Sequence, residues 1–225
     1  MDVKRIEDSN ISAWDKLYRS TEKSIWGEAP FPYLEDVIGK IEKPILKSSN
    51  LLDAATGEGR NLSCLISTEA NVFACDVSPS AISKIDDSLK QKVEIDICSL
   101  DKTPYISDFF DLILLWDVVE TLPQPQKVLH ELYRILRRGG HLICNIPDLD
   151  DGILEKGMRK LCQGIYLYKE AFYYRFYSKI EAHDLLKGID FKINSIKEYE
   201  WIEQPHPRYR NYEHVHRSRV FTVSK

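Results

Sequence analysis

Leu51-Leu52-Asp53-Ala54-Ala55-Thr56-Gly57-Glu58-Gly59-Arg60-Asn61 runs from an apolar strand into a turn of small residues and then into a helix start. Such a turn lets main chain come close to a ligand. Gly57 and Gly59 have no Cβ, so the backbone can take unusual φ values there, and a cofactor can lie on the main chain with N–H groups aimed at its polar atoms. A phosphate-binding loop would end in Gly-Lys-Ser/Thr, and that ending is absent, which argues against a nucleoside triphosphate.

Two acids stand behind this turn. Asp76, in Phe73-Ala74-Cys75-Asp76-Val77-Ser78-Pro79, falls at the end of the next predicted strand, where a carboxylate can accept two hydrogen bonds from ribose hydroxyls. A nicotinamide dinucleotide offers the same ribose, so an NAD-dependent oxidoreductase shares these two features. Asp96, at the end of the strand after that, is placed to accept from an exocyclic adenine amine, and the combination points to S-adenosylmethionine (SAM).

Around the turn, β-rich runs alternate with helix-like stretches between residues 50 and 147, the pattern of a parallel sheet built from βαβ units. Strands are predicted at 50–55, 71–77, 93–97, 110–116 and 141–146, and crossover helices at 78–91, opened by Ser-Pro-Ser, and at 124–138, closed by Arg-Arg-Gly-Gly. Within a single domain of 225 residues, residues 1–45 form an N-terminal helical cap or lid and 50–147 the cofactor-binding core. A helical insertion is expected at 152–180, its aromatic residues between Leu154 and Tyr177 lying over the ligand edge, and a C-terminal hairpin at 190–225.

These motifs resemble the class I SAM-dependent methyltransferases, in particular the small-molecule "type 11" group, over residues 51–147. The family's Asp-x-Gly-x-Gly-x-Gly is matched at Asp53, Gly57 and Gly59, with Ala55 at the first glycine. The run Phe110 to Pro123 is similar to the family's fourth strand and following loop, and Leu136-Arg137-Arg138-Gly139-Gly140 to its Leu-Lys-Pro-Gly-Gly. The resemblance implies a Rossmann-like α/β three-layer sandwich, its mostly parallel seven-stranded sheet having an antiparallel last strand. It implies SAM as cofactor and S-adenosylhomocysteine as product. Asp53, Ala55, Gly57 and Gly59 would surround the methionine part, Asp76 the ribose, Val77, Asp96 and Ile97 the adenine, and Trp116 would pass nearby. Tyr18 and Trp26-Gly27 are similar to a lid segment of tellurite-resistance-like methyltransferases.

For the acceptor, the residues are less direct. Moving a methyl group from a sulfonium is an in-line displacement, with a base wherever the acceptor carries a proton. Asp117, His206, His214 and His216 are the candidates; Glu120 reads equally as an acid at a helix start. His214 and His216 share a strand face, but two histidines make a metal site improbable, and no metal is expected. Arg208, Arg210, Arg217 and Arg219 would favour a carboxylate or phosphate on a small, aromatic or anionic acceptor. Against this stand a tRNA methyltransferase, suggested by the same arginines, and a non-catalytic SAM-binding module. Hydrophobic residues at 43% and charged residues at 29% describe a globular chain, and a net charge of -4 gives no general attraction to nucleic acid or anionic membrane. No apolar run spans a bilayer, and five scattered cysteines read as reduced core residues, so the expected location is cytoplasmic.

Overall fold

A computed structural model describes residues 3–41, 44–155, 157–206 and 208–225. Helices α1 (Val3–Arg19) and α2 (Leu34–Gly39) precede five parallel strands, β1 (Asn50–Ala54), β2 (Asn71–Asp76), β3 (Glu94–Ile97), β4 (Phe110–Leu115) and β5 (Leu136–Pro147). Between them run α3 (Leu62–Ile66), α4 (Pro79–Ser83), α5 (Asp87–Lys90) and α6 (Pro125–Ile135). Three further strands follow, β6 (Met158–Cys162), β7 (Ile165–Tyr168) and β8 (Phe172–Arg175). The chain closes with α7 (Lys179–Lys187), β9 (Lys192–Glu203) and β10 (His214–Ser224).

Because strand side chains alternate between faces, the apolar runs serve two cores at once. Leu52, Ala54, Ile113 and Leu115 pack with Leu129 and Leu132 of α6 and Leu186 of α7. Their chain neighbours Leu51, Leu112 and Leu114 pack on the opposite side with Leu34, Leu62 and Leu65. Leu51 and Leu52 are both wholly buried, and truncating either to alanine should cost about 2–5 kcal/mol. The result is a three-layer, Rossmann-like sandwich.

The main sheet has the order β3-β2-β1-β4-β5-β10-β9. The last strand of the chain, β10, is antiparallel to both neighbours, as expected, and lies inside the sheet between β5 and β9. Strand order reverses between β1 and β4. Loops leaving these two strands diverge to opposite faces and open a crevice at their carboxyl ends, the usual ligand position in open α/β sheets.

The sequence expectations need three corrections. The insertion at 152–180 is not helical: β6, β7 and β8 form a separate antiparallel meander, and only a short 3-10 turn (Gly152–Glu155) precedes them. Ile165-Tyr-Leu-Tyr and Phe172-Tyr-Tyr-Arg are β-favouring, while Gly157 and Gly164 at φ 79° and 71° and the turn residues Lys169 and Glu170 at φ 50° and 57° cannot sit in a right-handed helix. The predicted 78–91 helix is split in two, because the Asp86 side chain accepts from Ser88 N and starts α5 afresh. Helix α6 stops at Ile135, so Arg137-Arg138-Gly139-Gly140 belongs to β5; a Cβ on Gly140 would lie 3.0 Å from Phe110 O.

Candidate active site

A cavity of about 610 Å³ occupies the crevice, within the roughly 300–1,000 Å³ typical of small-molecule sites. Its first wall is the glycine turn. Asp76 accepts from Gly57 N at 2.9 Å and from Ser78 N at 2.8 Å, so one carboxylate ties the turn after β1 to the start of α4. Burial raises its pKa against the lowering effect of these N–H groups. Asp53, buried and accepting from Thr56 Oγ1 at 2.7 Å, is pushed up to about 7 chiefly by burial. Ala55 takes φ 58°, a left-handed conformation that glycine would adopt without strain, so alanine at the family's first glycine is tolerated at a cost of about 1–2 kcal/mol.

Of the residues expected to hold a cofactor, Tyr18, Trp26, Asp53, Ala55, Gly57, Asp76, Val77 and Trp116 line this cavity. Gly59, Asp96 and Ile97 are not among the lining residues. A Cβ on Gly59, at φ 79°, would lie 2.9 Å from Leu62 Cδ1, so that glycine permits packing behind the turn. Strand β3 runs two residues short of the crevice: Ile97 is exposed, and Cys98 and Ser99 reach the cavity in place of the predicted Asp96 and Ile97. Cys98 is half-buried, packed against the core while reaching the cavity, and Cys162 is exposed; Cys64, Cys75 and Cys144 are buried.

The N-terminal segment closes over this wall through charge. Glu58 accepts from Ser24 Oγ at 2.8 Å and Ile25 N at 2.7 Å, and pairs with Lys84 at 3.2 Å. Trp26 Nε1 donates to Tyr18 Oη at 3.1 Å, and a Cβ on Gly57 would sit 3.0 Å from that same oxygen, so only glycine lets Tyr18 lie on the turn.

A second wall is assembled from distant elements. Asp117, at φ 54° after β4, faces the open cavity; its N donates to Asn145 Oδ1 at 2.7 Å and Asn145 Nδ2 returns a bond to Asp117 Oδ1 at 2.5 Å. This reciprocal pair holds a strained backbone in place. Enclosure raises the Asp117 pKa, with His216 as the main opposing influence. Glu120 is buried, its Oε2 lacks a hydrogen-bond partner, and burial followed by the Asp117 charge lifts its pKa far above the ordinary carboxyl range.

On the same wall, Arg60 pairs with Glu203 at 2.8 Å. His206 Nδ1 lies 3.0 Å from Ile25 O, and a carbonyl only accepts, so Nδ1 carries the proton; burial drives this imidazole down to about 4. His216 stacks on Trp201 and reaches Asp151 at 3.3 Å. Asp117, His206 and His216 all line the cavity. His214 is not among its lining residues. It packs against both other imidazoles, with Nδ1 on Tyr212 O at 3.1 Å, and burial drives it down to about 4 as well. Among the described residues no group of three or more His, Cys, Asp or Glu side chains could hold a metal. Sequence reading missed Arg60, Asn145, Glu203, Cys98 and Ser99. Only Asn145 left a signal, a polar residue inside the apolar run Leu142-Ile-Cys-Asn-Ile.

With this geometry in hand, comparison with known proteins is informative. Residues 52–144 match the family model described as a methyltransferase domain. Over 103 residues the chain is 32% identical to an uncharacterised protein of Methanocaldococcus jannaschii, covering 46% of this chain and 48% of that one. Over 95 residues it is 28% identical to demethylmenaquinone methyltransferase of Clavibacter sepedonicus, covering 41% and 39%. The matches therefore span about half or less of these curated relatives. In fold, the chain is similar to Burkholderia thailandensis 1,6-didemethyltoxoflavin-N1-methyltransferase, solved with 1,6-didemethyltoxoflavin and S-adenosylhomocysteine, at a TM-score of 0.73 and 16% identity over 100% of this chain and 91% of the other. No described helix is long and apolar enough to cross a membrane. Residues 52–144 of this chain thus match a methyltransferase domain, and the fold around them is shared with a methyltransferase solved with S-adenosylhomocysteine.

Proposed function

We propose that this protein transfers the methyl group of SAM to a small, aromatic or anionic acceptor held in the same cavity, in the cytoplasm. The observation that carries the reading is that one cavity has two chemically different walls: a glycine turn with Asp76 on one side, and Asp117, Glu120, His206 and His216 on the other. Five free cysteines fit a reducing compartment. The similar 1,6-didemethyltoxoflavin-N1-methyltransferase, solved with 1,6-didemethyltoxoflavin and S-adenosylhomocysteine bound, supports a small acceptor.

The residues fit the cofactor. Asp53, Ala55 and Gly57 would hold the methionine part, with Gly59 shaping the turn from behind, and Asp76 the ribose; each of its oxygens keeps a lone pair beyond the N–H bond it already accepts. Val77, Cys98 and Ser99 would border the adenine, and Trp116 Nε1, buried without a partner, adjoins the site. Tyr18 and Trp26 cover it and exclude water. When bound, SAM supplies a methyl group activated by a sulfonium. The chain's part is then to align the acceptor in line with that methyl and to take up a proton where one is released. Asp117 is the strongest base candidate, since it lines the cavity, enclosure raises its pKa and Asn145 fixes its direction. His206 and His216 are the alternatives, and His214 sits outside this chemistry. The arginines that suggested tRNA are mostly spent within the protein: Arg217 pairs with Glu200, Arg219 with Asp148, and Arg208 donates to Ser20 O.

Isothermal titration with SAM and S-adenosylhomocysteine tests the reading, with NAD as control. Micromolar binding of the sulfur compounds, lost in Asp76→Ala, is the expected result; binding of NAD alone, or of none of the three, overturns it.

A further inference from the structure

Four arginines of the C-terminal hairpin attract attention in the sequence, and the fold separates them. Arg208 and Arg217 are exposed, and Arg219 is paired. Arg210 alone of the four borders the cavity, at 2% exposure, with no carboxylate partner among the described residues. Its guanidinium lies 4.9, 5.2 and 4.8 Å from the ring centroids of Tyr168, Tyr174 and Tyr209, while Nε and Nη2 have no hydrogen-bond partner.

A buried guanidinium stays protonated, and an uncompensated buried charge is costly unless an anion arrives. Three ring faces offset part of this, but they leave Nε and Nη2 without an acceptor. The neighbouring ionisable groups do not balance it either. Burial lowers the His206 and His214 pKa values and raises those of Glu120, Tyr174 and Tyr209, so it disfavours the anions that would offset Arg210, although the Arg210 charge itself opposes the rise at Glu120. Trp14 and Trp26, packed on Tyr209, extend an aromatic wall from this point along the cavity.

We propose that Arg210 anchors a carboxylate-binding subsite, so that the acceptor is an aromatic carboxylate whose acid group lies on Arg210 and whose ring lies along the aromatic wall. This rests on the methyltransferase reading above. The planar guanidinium fork matches a carboxylate through paired N–H bonds, which a lysine ammonium cannot reproduce.

The cofactor also carries a carboxylate, so the test separates the two sources. S-adenosylhomocysteine is titrated first into wild type, Arg210→Met, Arg210→Lys and Arg217→Met. Benzoate, indole-3-acetate and nicotinate are then titrated into the S-adenosylhomocysteine-loaded proteins against their neutral amides, with circular dichroism and thermal melts confirming folding. At least one carboxylate should bind wild type tenfold or more tighter than its amide. That preference should vanish in Arg210→Met, fall in Arg210→Lys and persist in Arg217→Met, a change at an exposed arginine away from the cavity, with S-adenosylhomocysteine affinity within twofold throughout. If wild type does not bind S-adenosylhomocysteine, the cofactor reading itself fails. If it binds but no carboxylate is preferred, or the preference survives Arg210→Met, this inference alone fails. If Arg210→Met instead loses S-adenosylhomocysteine, Arg210 serves the cofactor's carboxylate and the acceptor assignment is overturned.

Discussion

The two walls of the cavity are built on different length scales. On the proposed cofactor side, Gly57 N donates to Asp76 across 19 residues and Thr56 Oγ1 to Asp53 across only three, all at the ends of adjacent parallel strands. On the acceptor side, Arg60 meets Glu203 across 143 positions and His206 meets Ile25 across 181. The first wall follows from a strand, a turn and a helix in sequence. The second exists only once the C-terminal hairpin has docked on the sheet, and it is correspondingly rich in buried, unpaired or strained groups: Asp117, Glu120 and Arg210.

If this division is right, the walls should separate under mutation. The largest effect belongs to Asp76→Ala, which removes two charge-assisted hydrogen bonds within the turn and the acceptor for the ribose. SAM affinity should fall about a hundredfold, from roughly 2–3 kcal/mol of lost hydrogen bonding, while stability falls less. An Asp76→Ala protein that binds SAM normally by titration would break the comparison at its root. Next comes Asn145→Leu on the opposite wall. It leaves Asp117 N and Oδ1 unpaired on a left-handed backbone, so urea denaturation should show a loss of about 1–3 kcal/mol with SAM affinity unchanged. An equal loss of cofactor binding would mean that the walls are one unit.

Glu58→Gln sharpens the picture, because Glu58 fastens the lid to the glycine turn. Removing its charge should weaken SAM binding about tenfold, on the order of 1–2 kcal/mol, and speed amide exchange at residues 24–26. Unchanged exchange there would show that Trp26 and Tyr18 alone keep the lid closed.

The smallest expected effect is a pH dependence. His214 is held near 4 in the folded protein against 6.5 ordinarily. Below 6.5 the unfolded chain binds a proton that the folded chain refuses, so stability falls as pH drops from 6.5 toward 4. His214→Asn removes part of that penalty, and its melting temperature should drop less than wild type over this interval. A parallel pair of curves would show that His214 titrates alike in both states.

Much of the cofactor side was legible because its information is local. Consecutive apolar residues such as Leu51 and Leu52 announce a strand buried on two faces, and glycines after it announce a turn that backbone must approach. Even there, the reading stopped two residues short at Cys98 and Ser99, since where a strand ends relative to its neighbours is set by the packed sheet. The meander at 158–175 was misread for a related reason. Aromatic residues at close spacing suit a helix face or a strand, and the left-handed turn at Lys169 and Glu170 that decides between them carries no glycine to mark it.

By itself, then, the sequence determined a Rossmann-like core, a cofactor turn and an acid at the end of β2, because each rests on hydrogen bonds and side-chain alternation between near neighbours. Only the tertiary structure decided which of four arginines borders the cavity, which of three clustered histidines stays outside it, and that Asp117 is clamped by Asn145. Those outcomes depend on burial and on contacts between residues far apart in the chain, and no local pattern encodes the desolvation that gives a charge its meaning.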